Sequence, residues 1–351
     1  MRNRWVHIIA GLVFSGFALY FFARKIDPAT LVSALHRFPW ATIIIASVLV
    51  NLTFVFRAWR WQLLLHGYKP AKAGNLLLVS VVGYAANNVF PARAGELLRA
   101  VYLSQREKYP LTTALGSLIV ERLFDSLGFF FLGAFPLLVF SDDLLSRTLS
   151  GSFPFVQHLS IRNLAIACTG MLGASLALLT FLLAFPNSTQ RVCRTIASAA
   201  PRKWAAKIEG PLQNFFAVLG FVRNPWLVTR ALFHTVAIVG LYTTAFWLLC
   251  GTFSDSFLWS NAAFTIALIA LGVAVPSAPG YIGVMQLTIQ KGLEFFALAP
   301  GAGEAIAIMY WAVGYIPTTI AGLIIYFADL ARTKAQEPVP AVAEPAEALE
   351  T

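Results

Sequence analysis

The chain has 351 residues, of which 58% are hydrophobic and 12% are charged, and its net charge is +10. Soluble domains carry about 25% charged residues, so this composition excludes an ordinary water-soluble globular protein. The basic residues occur in short clusters between apolar runs and form no continuous basic face, which argues against nucleic acid as a partner. The composition therefore predicts an integral membrane protein.

Six apolar runs have the length of a membrane span, because a helix needs about 20 mainly apolar residues to cross the hydrocarbon core. They are Trp5 to Ala23, Trp40 to Trp59, Thr112 to Phe140, Asn163 to Phe185, Trp226 to Cys250 and Glu304 to Ala328. The first run lacks a small-residue cleavage site before Arg24 and Lys25. We therefore expect an uncleaved span there instead of a signal peptide.

Two further apolar stretches are each interrupted near the middle by proline and glycine. The first, Asn75 to Leu103, breaks at Pro91, and the second, Leu258 to Leu298, breaks at Pro276 to Gly280. The arms of the first, about 16 and 10 residues, are too short to cross a bilayer, which predicts a re-entrant hairpin. The second has longer arms and is borderline, so the total stays open between six spans with two hairpins and about eight to ten helices.

The order of these elements repeats along the chain. Two spans, a broken hairpin and a third span fill residues 1–140, and the same order returns in residues 161–328. Three crossings per half would invert the second copy, as in many transporters, although coincidence in a helix-rich chain is the alternative. We expect an all-α polytopic bundle in residues 1–328 and a disordered cytoplasmic tail, rich in proline, alanine and glutamate, in residues 329–351.

The distribution of basic residues orients the predicted bundle. The loop from Asn187 to Asn224 holds six lysines and arginines, whereas the alternate loops are acidic or lack basic residues. Because basic loops stay on the cytoplasmic side, both termini are predicted to lie inside, at the bacterial inner membrane. The loop with Arg24, Lys25 and Arg37 is the one misfit.

The first hairpin carries a polar motif, NNVFPARAGELLRA, between its two apolar arms. Its candidate residues are Asn87, Asn88, Pro91, Arg93, Gly95, Glu96 and Arg99. Charges and broken backbone at this depth are tolerated where they line a cavity. Arginine suits phosphate oxygens and a helix start adds free N–H groups, so we predict that this motif binds a lipid phosphate. The alternative is that its arginines extend to the interface or pair with Glu96.

A second motif, ERLFD, places Glu121, Arg122 and Asp125 inside an otherwise apolar run. Glu121 and Asp125 are four residues apart and share one helix face. Ionisable groups inside a span are functional candidates, so these carboxylates could pair with Arg93 or Arg99 or carry a coupling proton. Structural pairing alone is the alternative.

A third motif, FRAWRWQLLL, puts Arg57 and Arg60 beside two tryptophans at the predicted end of the second span. Basic and aromatic residues at such a position anchor a helix at the membrane interface, which is the favoured interpretation. Contact with a lipid head group beside the first hairpin is the rival hypothesis.

The break in the second hairpin is the fourth motif, VPSAPGYIGVMQ. Its candidate residues are Pro276, Pro279, Gly280, Gly283 and Gln286. Half-helix ends at such a break direct carbonyl and N–H groups toward one point, as in transporter sites for ions or anionic groups. A tight turn between helices is the alternative.

Signs of an enzyme are missing from the sequence. The five histidines share no spacing, the three cysteines are scattered, and neither a glycine-rich phosphate loop, an HExxH motif nor a nucleophile elbow occurs. We therefore expect no catalytic residues, no cofactor and no metal.

In order and spacing, the four motifs resemble the lysylphosphatidylglycerol synthase transmembrane family over roughly Trp5 to Ala328. The resemblance implies a flippase-like membrane domain, which in fused members translocates a modified phospholipid that a soluble domain synthesises. We expect this chain to be without that synthase activity. Two residues depart from the family pattern: Tyr281 stands where glycine is common, and Gln286 where glutamate is frequent, which argues against an acid-dependent role at position 286.

The leading hypothesis is a transporter that moves an anionic phospholipid or a polyprenyl-linked lipid across the membrane. The alternatives are a membrane-embedded transferase that acts on a lipid acceptor, and an auxiliary subunit of a lipid-synthesis complex. The expected partners are membrane lipids and a lipid-modifying enzyme on a separate chain.

Overall fold

A computed structural model describes residues 2–24, 26–90, 94–148, 160–184, 218–274, 277–299 and 301–336, and this part of the chain contains helices and no β-strand. The α-helices are α1 (Arg2–Ala23), α2 (Pro28–His36), α3 (Trp40–Leu65), α4 (Ala73–Val89), α5 (Ala94–Glu107), α6 (Leu111–Ala134), α7 (Pro136–Val139), α8 (Asp142–Ser146), α9 (Ile161–Ala184), α10 (Pro225–Gly251), α11 (Trp259–Ala274), α12 (Val284–Glu294) and α13 (Ala302–Gln336). The predicted all-α fold is confirmed.

Five stretches are long and apolar enough to cross a membrane: α3, α6 continued through α7, α9, α10 and α13. With α1, they coincide with the six spans expected from the sequence. The protein is therefore a multi-pass membrane protein. Most of the basic loop lies outside the described residues, so the cytoplasmic placement of the termini and the bacterial inner membrane stay predictions.

Both broken elements are too short to cross as separate helices. Their arms have 17 and 14 residues in the first hairpin, α4 and α5, and 16 and 11 in the second, α11 and α12. At 1.5 Å per residue the longest arm measures about 26 Å, less than the hydrocarbon core of about 30 Å. The second hairpin is shorter than expected because α11 ends at Ala274 and a 3₁₀ turn occupies Pro279–Tyr281.

Each hairpin packs on a long helix that belongs to the other predicted half of the chain. In the first hairpin α4 lies along α13, and in the second α11 lies against α6. The largest remaining contact joins α3 to α10, again across the two halves. Because each hairpin packs against the other half of the chain, the two halves are interlocked. The inverted repeat of residues 1–140 and 161–328 stays a prediction.

A proline interrupts the hydrogen bonding of α13 at the level where the hairpins meet it. Pro317 has no N–H group, so the carbonyl of Val313 loses its helical partner. In compensation, Ser47 Oγ and Asn51 Nδ2 of α3 donate to that oxygen at 3.1 and 3.3 Å. Asn51 Oδ1 also accepts from the Thr318 hydroxyl at 2.9 Å. The two helices are thus joined where the backbone would otherwise be unsatisfied in lipid.

The predicted boundary of the tail is wrong, because α13 continues eight residues past residue 328. The helix is held there by Asp329, whose carboxylate accepts hydrogen bonds from the Tyr102 hydroxyl and the Arg106 guanidinium of α5. Residues 337–351 lie outside the described part of the chain.

The short helix α2 was not predicted because it is not a long apolar run. It begins at Pro28 after Asp27, whose side chain accepts a hydrogen bond from Thr30 N at 2.9 Å.

Replacing Asn51 with leucine should lower the free energy of unfolding by about 1–3 kcal/mol, because it removes one of the two hydrogen bonds of the Val313 carbonyl and one of the two of the Thr318 hydroxyl. Thermal unfolding of the purified protein in detergent measures the effect. The matched control is Asn163→Leu at an exposed position near the start of α9. Equal melting temperatures for the two variants would contradict the role given to Asn51.

Candidate functional site

Three helices bring six charged side chains together inside the bundle. These residues, which we call the arginine–carboxylate cluster, are Arg57 and Arg60 from α3, Arg99 from α5, and Glu121, Arg122 and Asp125 from α6. Four guanidinium groups face two carboxylates, so the cluster has an excess of two positive charges. Such groups are stable inside a membrane protein when they are paired and hydrogen-bonded.

Asp125 is the centre of one half of the cluster. Its carboxylate contacts a guanidinium nitrogen of Arg57 at 3.1 Å, of Arg60 at 2.5 Å and of Arg122 at 3.3 Å. Arg60 is fully buried and also donates to the hydroxyl of Thr235 on α10 at 2.9 Å. A single carboxylate therefore holds α3 against α6 and, through Arg60, ties both helices to α10.

Glu121 is the centre of the other half. Arg99 donates to its two carboxylate oxygens at 3.2 and 2.9 Å, and Arg122 approaches one of them at 3.1 Å. The Arg99 guanidinium also lies 4.5 Å from the centre of the Trp61 ring and 5.3 Å from that of Tyr84. The expected pairing of Glu121 with Arg99 is confirmed, while a proton-coupling role for the carboxylates stays a prediction.

The predicted helix end at Trp59 is wrong, and Arg57 and Arg60 do not lie on the outer surface of the helix bundle as anchors would. The helix continues to Leu65, and the two arginines face the interior with side-chain exposures of 4% and 0%. The helix can extend through two arginines because α6 provides their counter-charges. Trp59 remains exposed, as an anchor would be, but Trp61 is buried and donates to Ser117 Oγ at 2.9 Å.

Two glycines allow the arms of the first hairpin to approach each other. A Cβ atom on Gly95 would lie 2.0 Å from the Gly83 carbonyl oxygen, and one on Gly83 would lie 1.9 Å from Arg99 Cγ. Neither position can hold a larger residue without moving the arms apart. Gly95 lies in the first turn of α5, where this close packing lets Arg99 reach across α4 to Glu121.

A cavity of about 390 Å³ lies beside the cluster. Its wall is mixed: the polar lining residues include Arg57, Arg122, Asp125, Asn87, Asn88 and Glu96, and the apolar ones include Phe129, Phe130, Ile269, Leu271 and Met285. Arg122 is the most exposed member of the cluster, with 40% of its side chain accessible. The volume is that of a small-ligand pocket. The mixture of polar and apolar lining residues suits a polar head group with part of an apolar chain.

The two hairpin breaks meet at this cavity, and both are fastened to α13. Asn88 Nδ2 at the first break donates to Thr319 Oγ1 at 2.8 Å, and the Gly280 carbonyl at the second accepts from Trp311 Nε1 at 2.9 Å. A Cβ atom on Gly280 would lie 3.5 Å from the Asn88 carbonyl oxygen, so the tips are neighbours. The structure thus brings together the two motifs that the sequence placed at the breaks.

The second break relies on left-handed backbone. Gly280, Tyr281 and Gly283 have φ angles of 65°, 56° and 89°. Tyrosine adopts this region at a cost of about 1–2 kcal/mol, which accounts for the glycine that the family resemblance predicts at position 281. Gln286 Oε1 accepts from Gly283 N at 2.8 Å, so the amide oxygen caps α12 and no acid is required there.

The predicted site residues fall into three groups. Arg57, Asn87, Asn88, Glu96, Arg122 and Asp125 line the cavity, whereas Arg60, Arg99 and Glu121 are buried behind its wall. Pro91, Arg93 and Pro276 lie outside the described residues, so the role predicted for Arg93 stays a prediction. Pro279 begins the 3₁₀ turn next to Gly280.

Sequence reasoning missed four tyrosines and a threonine of the cavity wall: Tyr84, Tyr242, Tyr310, Tyr315 and Thr318. One signal was available, because Tyr84 precedes Asn87 and Asn88 by three and four residues and therefore shares their helix face. Tyr310 and Thr318 likewise lie eight residues apart, about two turns, along α13. Such stripes are hard to distinguish from ordinary packing in an aromatic-rich chain.

The order of the helices and the four motifs can be compared with known proteins. The chain matches the family described as the lysylphosphatidylglycerol synthase TM region from residue 8 to residue 322. The protein belongs to this family. Its membership and its membrane helices together indicate a lipid-related membrane function.

Two curated relatives are both archaeal. The first is "Glycosyltransferase AglD" of Haloferax volcanii, 27% identical over 345 residues, with 92% of this chain and 54% of that protein covered. The second is "UPF0104 membrane protein MJ1595" of Methanocaldococcus jannaschii, 24% identical over 295 residues, with 80% of this chain and 83% of that protein covered. The chain thus spans about half the length of the first relative.

Replacing Asp125 with asparagine should lower the free energy of unfolding by about 3–5 kcal/mol, because three guanidinium groups lose their shared counter-charge in a buried place. The matched control is Asp142→Asn, which breaks the exposed pair with Arg162 and should change stability by about 0–1 kcal/mol. Thermal unfolding of both variants in detergent makes the comparison. A loss no greater at position 125 than at position 142 would show that the cluster does not hold the bundle together.

Proposed function

We propose that this protein translocates an anionic lipid across the bilayer, with the lipid phosphate passing Arg122 in the cavity. One observation carries the proposal. The arginine–carboxylate cluster has more positive than negative charge, and its most exposed guanidinium, on Arg122, lines a cavity that is also lined by apolar side chains. A lipid phosphate supplies the negative charge that the cluster lacks.

Arg122 can exchange partners without leaving a buried carboxylate unpaired. In the described structure it contacts Glu121 and Asp125, but Glu121 also has Arg99, and Asp125 also has Arg57 and Arg60. When Arg122 turns toward a phosphate, both carboxylates keep a strong counter-charge. Since guanidinium binds phosphate in the same two-pronged geometry as carboxylate, the exchange costs little.

The fold supplies a way for the cavity to change its opening. The two hairpin tips are neighbours and each is hydrogen-bonded to α13 at the cavity, and Pro317 interrupts the hydrogen bonding of α13 at the same level. Interlocked halves that meet at broken helices rock against each other in known transporters. The apolar wall and the surrounding hydrocarbon would accommodate the lipid chains during such a movement.

Replacing Arg122 with glutamine should slow the exchange of an anionic lipid between leaflets at least tenfold, because the phosphate loses its exposed charged partner. The assay uses proteoliposomes with fluorescent phosphatidylglycerol and measures how fast the label becomes accessible to a membrane-impermeant quencher. The matched control is Arg162→Gln, since Arg162 is similarly exposed, at 46%, and also pairs with an aspartate.

Two results would contradict the proposal. One is an exchange rate that does not rise when the wild-type protein is added to the liposomes. The other is an active preparation in which the substitutions at positions 122 and 162 have equal effects.

A transferase that acts on a lipid acceptor is the second candidate, because one relative that aligns with most of this chain is named a glycosyltransferase. The cavity would then hold the acceptor lipid. Purified protein incubated with labelled nucleotide sugars and membrane lipids tests this candidate. Product formation that is lost in the Arg122→Gln variant would favour the transferase over the transporter.

A further inference from the structure

The break of the second hairpin holds a tyrosine in a backbone conformation that suits glycine. Tyr281 has a φ angle of 56°, in the left-handed region that glycine adopts without cost and that a side chain disfavours. In the described part of the chain two other residues with side chains share this region, Lys108 and Ala297, and both lie just past the end of a helix, where the conformation is common. Tyr281 instead lies in the wall of the cavity. Strained backbone at a binding site points to a function of the residue that bears it.

The ring of Tyr281 is held by two aromatic residues of α13. It meets the ring of Tyr315 edge to face, with 6.1 Å between the ring centres, and Tyr315 stacks on Trp311 at 5.7 Å. Trp311 also donates to the carbonyl of Gly280, the residue before Tyr281, at 2.9 Å. The backbone and the ring at this break are therefore fastened to the same helix, and the ring forms a fixed part of the cavity wall.

The cavity is small for a site that binds a lipid head group. Its volume of about 390 Å³ lies near the lower end of the range for ligand pockets, about 300–1,000 Å³. Arg57 and Arg122 line the same cavity as Tyr281 and Tyr315. A head group whose phosphate is bound at the arginines therefore shares this volume with the two rings. Because protein interiors are closely packed, a larger head group must displace a ring or stay out.

From this geometry we infer that Tyr281 limits the size of the head group that the cavity accepts. The inference rests on the proposed lipid site and narrows its substrate class to anionic lipids whose phosphate bears a compact group. A glycine at position 281 would relieve the backbone but would leave the wall open beside Tyr315. Tyr281 carries no charge at neutral pH, so it separates lipids of equal charge by size.

Two lipids of equal charge test the inference. Phosphatidylglycerol carries a small uncharged polyol on its phosphate, and phosphatidylinositol carries a larger, ring-shaped one. The measurements are binding to the protein in phosphatidylcholine nanodiscs and exchange between leaflets in proteoliposomes. We expect the wild-type protein to bind phosphatidylglycerol about tenfold or more tighter than phosphatidylinositol and to exchange it faster, because overpacking a fitted site costs about five- to hundredfold in affinity.

Three substitutions separate the ring of Tyr281 from its backbone strain. Tyr281→Gly removes both, and Tyr281→Ala removes the ring but keeps the strain. Both variants should reduce the preference for phosphatidylglycerol to about threefold or less, and the glycine variant should unfold at the higher temperature. Tyr281→Phe keeps the ring and should keep the preference. Tyr326→Ala, on the exposed side of α13, is the control and should leave the preference as it is.

The outcomes distinguish the inference from the transport proposal. If Tyr281 only stabilised the fold, the glycine and alanine variants would handle both lipids worse by the same factor, and this unchanged preference would overturn the inference. Equal binding of the two lipids by the wild-type protein would also overturn it, while leaving anion transport intact. Size-selective binding without leaflet exchange would overturn the transport proposal instead. Binding of neither lipid would overturn both.

Discussion

The fold depends on one physical constraint: a charge inside the hydrocarbon must have a partner of opposite charge. Asp125 and Glu121 on α6 satisfy this constraint for arginines from α3 and α5, and the geometry leaves little freedom in how these helices are aligned. A rotation of α3 by one residue would turn Arg57 and Arg60 by about 100° away from their carboxylates, at a cost of several kcal/mol. The charges that make the site also determine the register of the helices around it.

The same constraint acts on the backbone. Pro317 leaves the Val313 carbonyl without a helical partner, and the breaks in the two hairpins end four helix arms inside the bundle. Three of these exposed backbone groups are met by a neighbour: Ser47 and Asn51 at Val313, Trp311 at Gly280, and Gln286 at Gly283. Since Ser47 and Asn51 are 266 and 262 residues away from Val313, the irregular backbone of α13 also joins the two halves.

Local sequence predicts what depends on local chemistry. The apolar runs located the spans to within a few residues, and the proline and glycine motifs located the breaks, because hydrophobic length and helix-breaking residues act on the segment that contains them. The end of α3 was misplaced because Arg57 is stable there only with Asp125, 68 residues away. The helical part of the predicted tail was missed for the same reason, since Asp329 is held by Arg106, 223 residues away. Tyr242 and Tyr310 look like ordinary packing residues until the fold places them in the cavity wall.

The arginines of the cluster have two tasks, joining helices and lining the cavity, and all four pair with the same two carboxylates. Arg60 and Arg99 are buried and join helices, whereas Arg57 and Arg122 also reach the cavity. If Arg122 turns toward a bound phosphate, Glu121 and Asp125 must rely more on the arginines that hold α3 and α5 in place. Ligand binding and helix packing are then linked through two carboxylates, and by reciprocity a change in packing alters the affinity for the ligand. A transporter needs this linkage, because its substrate must favour the rearrangement that carries it across. A neutral cluster would hold the helices equally well, so the excess of positive charge is better explained by a ligand than by stability.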